Sequence, residues 1–107
     1  MKILEELFDT VLDLMEKGVI KSEVETLSHP DLDNPELEAG DKIRFSLLDG
    51  RSFYVGYIDE WENGEEYAEK DYIGRTYFIE DDPFNGIYQQ RDINKIEKIL
   101  EDVKSLR

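Results

Sequence analysis

A hydroxyl or thiol nucleophile needs a base beside it, and this sequence offers one histidine, His29, and no cysteine. His29 precedes Pro30 in a stretch without periodicity and reads as a solvated loop side chain. Neither a Gly-x-Ser-x-Gly elbow nor a glycine-rich phosphate cradle occurs. Carboxylates are abundant, and paired carboxylates do acid–base work or hold hard cations. Asp31, Asp33 and Glu36 open like a calcium loop but lack its later glycine and glutamate. Glu80, Asp81 and Asp82 form a second acidic group, expected in a turn. With 27 acids in 107 residues, close carboxylates are expected by chance. The sequence therefore assigns no catalytic residue, cofactor or metal, and the chain is expected not to be an enzyme. A weak divalent-cation protein or enzyme is the last of three readings.

The aromatic residues say more. Phe45, Phe53, Tyr57, Trp61 and Phe78 sit at alternating positions expected to face a core, whereas Tyr54, Tyr72, Tyr77 and Tyr88 neighbour them and are expected outside. Tyrosine beside acid suits protein recognition, because the ring gives contact area at little conformational cost. The expected partner-binding surface comprises Tyr54, Trp61, Glu62, Glu65, Glu66, Tyr67, Tyr72, Tyr77, Glu80, Asp81 and Asp82.

The formal net charge is −14, and it is uneven. Residues 1–40 carry 11 acids and 3 bases, and residues 59–82 carry 10 and 2; the segments 41–58 and 83–107 each carry a net +1. Such a field repels nucleic acid and anionic membrane and attracts basic partners. The first reading is a non-catalytic interaction domain that binds a basic protein. The second is a nucleic-acid-mimicking inhibitor of the phage-antagonist or nuclease-immunity type, with rows of carboxylates standing in for phosphates. No apolar run approaches the roughly 20 residues that span a bilayer, and acids near the start argue against a signal peptide. The expected compartment is the cytoplasm.

These residues must be positioned by few elements, since 107 residues suit one domain. Ile3, Leu4, Leu7, Phe8, Val11, Leu12, Leu14 and Met15 recur at helical spacing, which predicts an amphipathic helix over about 2–17 stopped by Gly18. Alternation predicts strands over about 20–27, 41–48, 51–61, 72–80 and 86–90. Asp49-Gly50 between two such runs predicts a type I′ hairpin. Gly56 in mid-strand signals a bulge, a bend or close backbone approach. Ile93, Ile96, Ile99, Leu100, Val103 and Leu106 predict a second helix over about 92–106, with Asp92 as its N-cap. The fold class is α+β: a strongly bent antiparallel sheet or small barrel of about five strands with an amphipathic helix at each end. An unpaired sheet edge would also offer a route to homo-oligomers.

The segment from Asp41 through Asp49-Gly50 and Gly56 to Ile58, Trp61 and Glu62 resembles the first motif of Sm-like proteins. In that family an alternating strand, a tight turn and a second strand bent at glycine precede aliphatic and aromatic positions. The resemblance covers roughly a fifth of the chain and implies an SH3-like barrel, with ring assembly through open edges. The family's RNA-binding asparagine would fall near Glu66, and its Arg-Gly pair on Arg91-Asp92. The resemblance therefore implies a barrel without the RNA site.

Overall fold

The computed structural model describes residues 1–28, 31–63 and 67–106. Helix α1 (Lys2–Glu16) buries Leu4, Leu7, Phe8, Val11 and Leu14 along one stripe and leaves Glu5, Glu6, Asp9 and Glu16 in solvent. Gly18, at φ 71°, ends it: the Gly18 and Val19 N–H groups bond the Met15 and Leu14 carbonyls, closing a Schellman motif. Four strands follow, β1 (Ser22–Leu27), β2 (Glu38–Ser46), β3 (Ser52–Trp61) and β4 (Tyr72–Asp81). Each pairs antiparallel with the next, giving an open sheet in the order β1-β2-β3-β4. Helix α2 (Ile93–Lys104) closes the chain. The Asp92 side chain accepts a bond from the Gln89 N–H, fixing the short turn that enters α2.

Both helices lie on one face of the sheet. Ile43 and Phe45 of β2, Phe53 and Val55 of β3 and Ile79 of β4 meet the buried stripes of α1 and of α2, the latter being Ile96, Ile99, Leu100 and Val103. Each such side chain contributes roughly 1.5–3 kcal/mol by leaving water. The Phe8 ring packs edge-on against Tyr57, 5.5 Å between centroids, and against Tyr77 at 5.6 Å. Lys104 reaches Glu6 at 2.6 Å and ties the helices together outside this core.

Three expectations need correction. Residues 86–90 form no strand: they add one isolated bridge, Glu80 to Ile87, and one bond, from the Tyr88 N–H to the Ile79 carbonyl. The segment turns at once into α2, leaving no length for a ladder. Among the described residues the sheet has four strands and does not close into a barrel. The hairpin is also not type I′. Only Gly50, at φ 93°, is left-handed there, while the Leu47 carbonyl accepts the Gly50 N–H and the Leu47 N–H bonds the Arg51 carbonyl. The connection is thus three residues, 48–50, with glycine at the left-handed position. Asp49 keeps a negative φ and accepts both the N–H and the Nε of Arg51. The third correction concerns where β2 begins. It starts at Glu38, before the expected 41, because residues 38–40 find ladder partners in Ile58, Asp59 and Glu60.

Gly56 does mark close approach. A Cβ there would lie 2.5 Å from the Asp41 carbonyl and 2.7 Å from the Phe78 ring. Gly40, diagonally across β2, would place one 2.1 Å from the Tyr57 carbonyl. Both glycines lie on the face away from the helices, where the sheet coils tightly.

Candidate partner-binding surface

Strand register divides the expected surface into two regions at opposite ends of β3 and β4. At one end Trp61 pairs with Tyr72 across an irregularity in the ladder. Tyr67 folds onto Trp61 with ring centroids 4.7 Å apart, and Tyr72 meets it at 5.5 Å; both contacts are edge-to-face. Tyr67 adopts φ 46°, a costly conformation for a bulky side chain. The Trp61 stack and a bond from the Tyr67 hydroxyl to the Pro35 carbonyl hold it there. Tyr67 and Tyr72 are nevertheless 43% and 44% exposed. This aromatic end is built, and it stays open to solvent.

Its electrostatics are predominantly acidic. Arg75 grips Asp59 with Nε and Nη2 at 2.8 and 2.9 Å, and Tyr72 donates its hydroxyl to the same carboxylate. The Arg75 bonds hold the Asp59 carboxyl below its usual range. The Arg75 guanidinium also lies 3.8 Å from the Tyr57 ring centroid. Its charge is consumed locally. Glu60, Glu62, Glu69 and Asp71 of the adjoining segments take part in no ion pair among the described residues, and neither does Lys70, the single base among them. Glu65 and Glu66 lie outside the described residues.

At the other end the acidic trio is split rather than gathered in a turn. Glu80 pairs with Tyr54 and faces away from the helices, whereas Asp81 pairs with Phe53 and faces them. The two-residue period of a strand imposes this split. Glu80, 8% exposed, meets Lys42 at 3.4 Å, and Lys42 lies 4.4 Å from the Tyr54 ring centroid. Asp82 pairs with Arg44. Asp81 accepts the Tyr88 hydroxyl at 2.6 Å; burial, with this bond second, pushes Tyr88 up to about 12. Tyr77 sits opposite Tyr57 on the helix face against Phe8, and Phe78 takes the outward face over Gly56. Tyr77 and Tyr88 are therefore packing groups rather than exposed surface.

Sequence reasoning missed the concavities of the surface, two of which have mainly apolar linings. The outward face of the sheet holds a groove of about 320 Å³, floored by Leu27, Ile58 and Phe78, crossed by Lys42 and Glu80, and rimmed by Phe84 and Ile87. A larger cleft of about 590 Å³ lies between the 48–50 turn and α2, with Phe53 and Ile99 at its base and Arg51, Lys95 and Lys98 at its mouth. Arg51 is bound there by Asp49 and Asp102, and Lys98 by Asp102. The glycine pair at 40 and 56 was the one available signal for the groove. No group of three or more His, Cys, Asp or Glu side chains among the described residues is arranged to hold a metal ion. No described helix is long and apolar enough to cross a membrane.

Fold and surface together define a four-stranded α+β domain with helices on one face and an acid-ringed aromatic cluster at the strand ends. No family model matches the chain, and no curated protein or solved structure does either.

Proposed function

We propose that this chain is a non-catalytic interaction domain that holds a basic protein partner at the aromatic end of its sheet. One observation carries the reading: Trp61, Tyr67 and Tyr72 form an edge-to-face cluster that leaves Tyr67 and Tyr72 exposed, the Arg75 guanidinium beside it is neutralised by Asp59, and Glu60, Glu62, Glu69 and Asp71 take part in no ion pair among the described residues. Exposed aromatic rings offer faces to Arg and Lys side chains, and nearby acids steer a cationic patch toward them. Aromatic anchors inside a charged rim are where interfaces concentrate their binding energy. The likeness of residues 41–61 to Sm-like proteins enters only as a bent hairpin that supports this end. The reading needs no RNA.

The test is affinity capture with the wild-type chain and with Trp61→Ala. The expected result is capture of basic proteins that weakens with salt and is lost in the variant. Equal capture by both chains overturns the reading.

The nucleic-acid-mimic reading has one observation in its favour. Glu5, Asp9 and Asp13 follow at four-residue intervals on α1, roughly 6 Å of axial rise per step, near a phosphate spacing. Asp13, however, is paired with Lys17 at 3.0 Å, which breaks the row. Competition of the chain with duplex DNA for a DNA-binding protein would favour this reading.

A further inference from the structure

Strand β1 is an edge of the sheet, and no described strand pairs with its outer side. In an antiparallel ladder the residues of one strand alternately direct their backbone groups to one neighbour and then to the other. The bond from the Leu47 N–H to the Arg51 carbonyl fixes that alternation: Phe45, Ile43 and Asp41 of β2 bond toward β3, and Arg44, Lys42 and Gly40 bond toward β1. The bond from the Asp82 N–H to the Ser52 carbonyl, one strand further on, keeps the same phase. In β1, therefore, Glu23, Glu25 and Leu27 bond to β2 across from Arg44, Lys42 and Gly40. Ser22, Val24 and Thr26 point their N–H and C=O groups outward, where no described strand pairs with them. Val24 is 54% exposed and Thr26 is exposed too. The edge at β4 differs, because residues 87 and 88 pair with it at 79 and 80.

The side chains say what the free edge selects. On the outward face Glu23 sits opposite Arg44 and Glu25 opposite Lys42, so acid on β1 alternates with base on β2. Lys42 is 3.9 Å from Glu25, and Glu23 has no ion-pair partner among the described residues. A strand added beyond β1 would set its side chains beside Glu23 and Glu25, where opposite charge stabilises and like charge destabilises. A second copy of this chain fits poorly. Pairing two β1 strands about Val24 places Glu23 opposite the partner's Glu25, with Cα atoms roughly 4.5 Å apart, twice over. Edge glutamates thus oppose self-pairing while leaving the edge open to a cationic strand.

The geometry points to β1 as a docking edge for an extended segment of another protein that carries Lys or Arg at alternate positions and pairs with the outward backbone groups of Ser22, Val24 and Thr26. The inference shares with the proposed function the basic character of the partner, but it uses a different surface.

The experiment titrates the intact chain with a short synthetic peptide in which Lys alternates with Val and Thr, and follows amide hydrogen exchange residue by residue. The expected signature has a period of two. The Val24 and Thr26 amides slow about tenfold at free peptide near ten times the dissociation constant, while Glu23 and Glu25, already bonded to β2, change far less. Val24→Pro removes one outward N–H and no ladder bond, so it should fold and lose the effect. A charge-reversed chain, Glu23→Lys with Glu25→Lys, should ignore this peptide and protect the same amides with a Glu-substituted one. Trp61→Ala should leave the β1 signature intact, which separates this inference from the proposed function. Absence of protection, protection spread evenly over both parities, or protection that grows with protein concentration without peptide would each overturn it.

Discussion

Replacing Gly56 by alanine tests the packing that shapes the outward face. The added Cβ would stand 2.5 Å from the Asp41 carbonyl, 2.7 Å from Phe78 Cζ and 2.9 Å from Lys42 Cβ. Rotating Phe78 could relieve the second contact, but the first is with the β2 backbone and yields only if the strands separate. Overpacking of this kind costs about 1–3 kcal/mol, and a backbone clash belongs at the upper end. Reduced freedom of the unfolded chain returns about 0.4–1 kcal/mol. The net expectation is a loss of about 2 kcal/mol, or a fall in Tm of roughly 8–16 °C at this chain length. The assay is urea unfolding followed by circular dichroism, with Gly74→Ala as control. Gly74 lies in the neighbouring strand, and a Cβ there meets nothing within 4 Å. A Gly56→Ala midpoint as close to wild type as that of the control would refute the claim of close strand approach.

Gly50→Val should cost about 1–3 kcal/mol through its left-handed φ alone, since no atom lies within 4 Å of its Cβ position; calorimetry would register the drop. Glu80→Gln leaves the Lys42 ammonium half-sheltered without its main counter-ion, and a loss of roughly 1–3 kcal/mol is expected in urea. A double-mutant cycle with Lys42→Met should recover part of it. Tyr57 and Tyr88 are each raised to about 12, chiefly by burial and then by bonds to Asp41 and Asp81. A raised folded pKa means that their contribution is complete below the unfolded value of 10.0 and is lost as pH climbs toward about 12. Phenolate absorbance should show Tyr57 and Tyr88 titrating last, behind Tyr54 and Tyr72, which are also shifted upward, with unfolding setting in over the same interval. Asp59 shifts the other way, so its share of stability is lost as pH falls below the carboxylate range, and Arg75→Gln should move the acid-unfolding midpoint upward.

The helices were legible because their apolar stripes bury on one side only, and Gly18 stands where its left-handed φ ends α1. The hairpin was legible as a hairpin but not as a turn type. Asp49-Gly50 fits either a two-residue or a three-residue connection, and the choice fell to the Asp49 bonds with Arg51. In β4 the run Tyr77, Phe78, Ile79 is apolar on both faces, so alternation could not say which ring met the helices. A run of three acids before Pro83 signals a turn, and nothing in it points to the Lys42 that pairs with Glu80 from 38 residues away. Trp61, Tyr67 and Tyr72 were legible as a candidate surface from composition. Their stack depends on the paired ends of β3 and β4, which the sequence does not display.

The central claim, that the aromatic end receives a cationic partner, is tested most directly by amide and indole NMR shifts during titration with an arginine-rich peptide. The account predicts that the Trp61 indole and the amides of Glu60, Glu62, Glu69 and Asp71 move first and saturate together, and that added salt reverses the shifts. Shifts centred on the acids of α1, or spread evenly over the acidic surface, would contradict it.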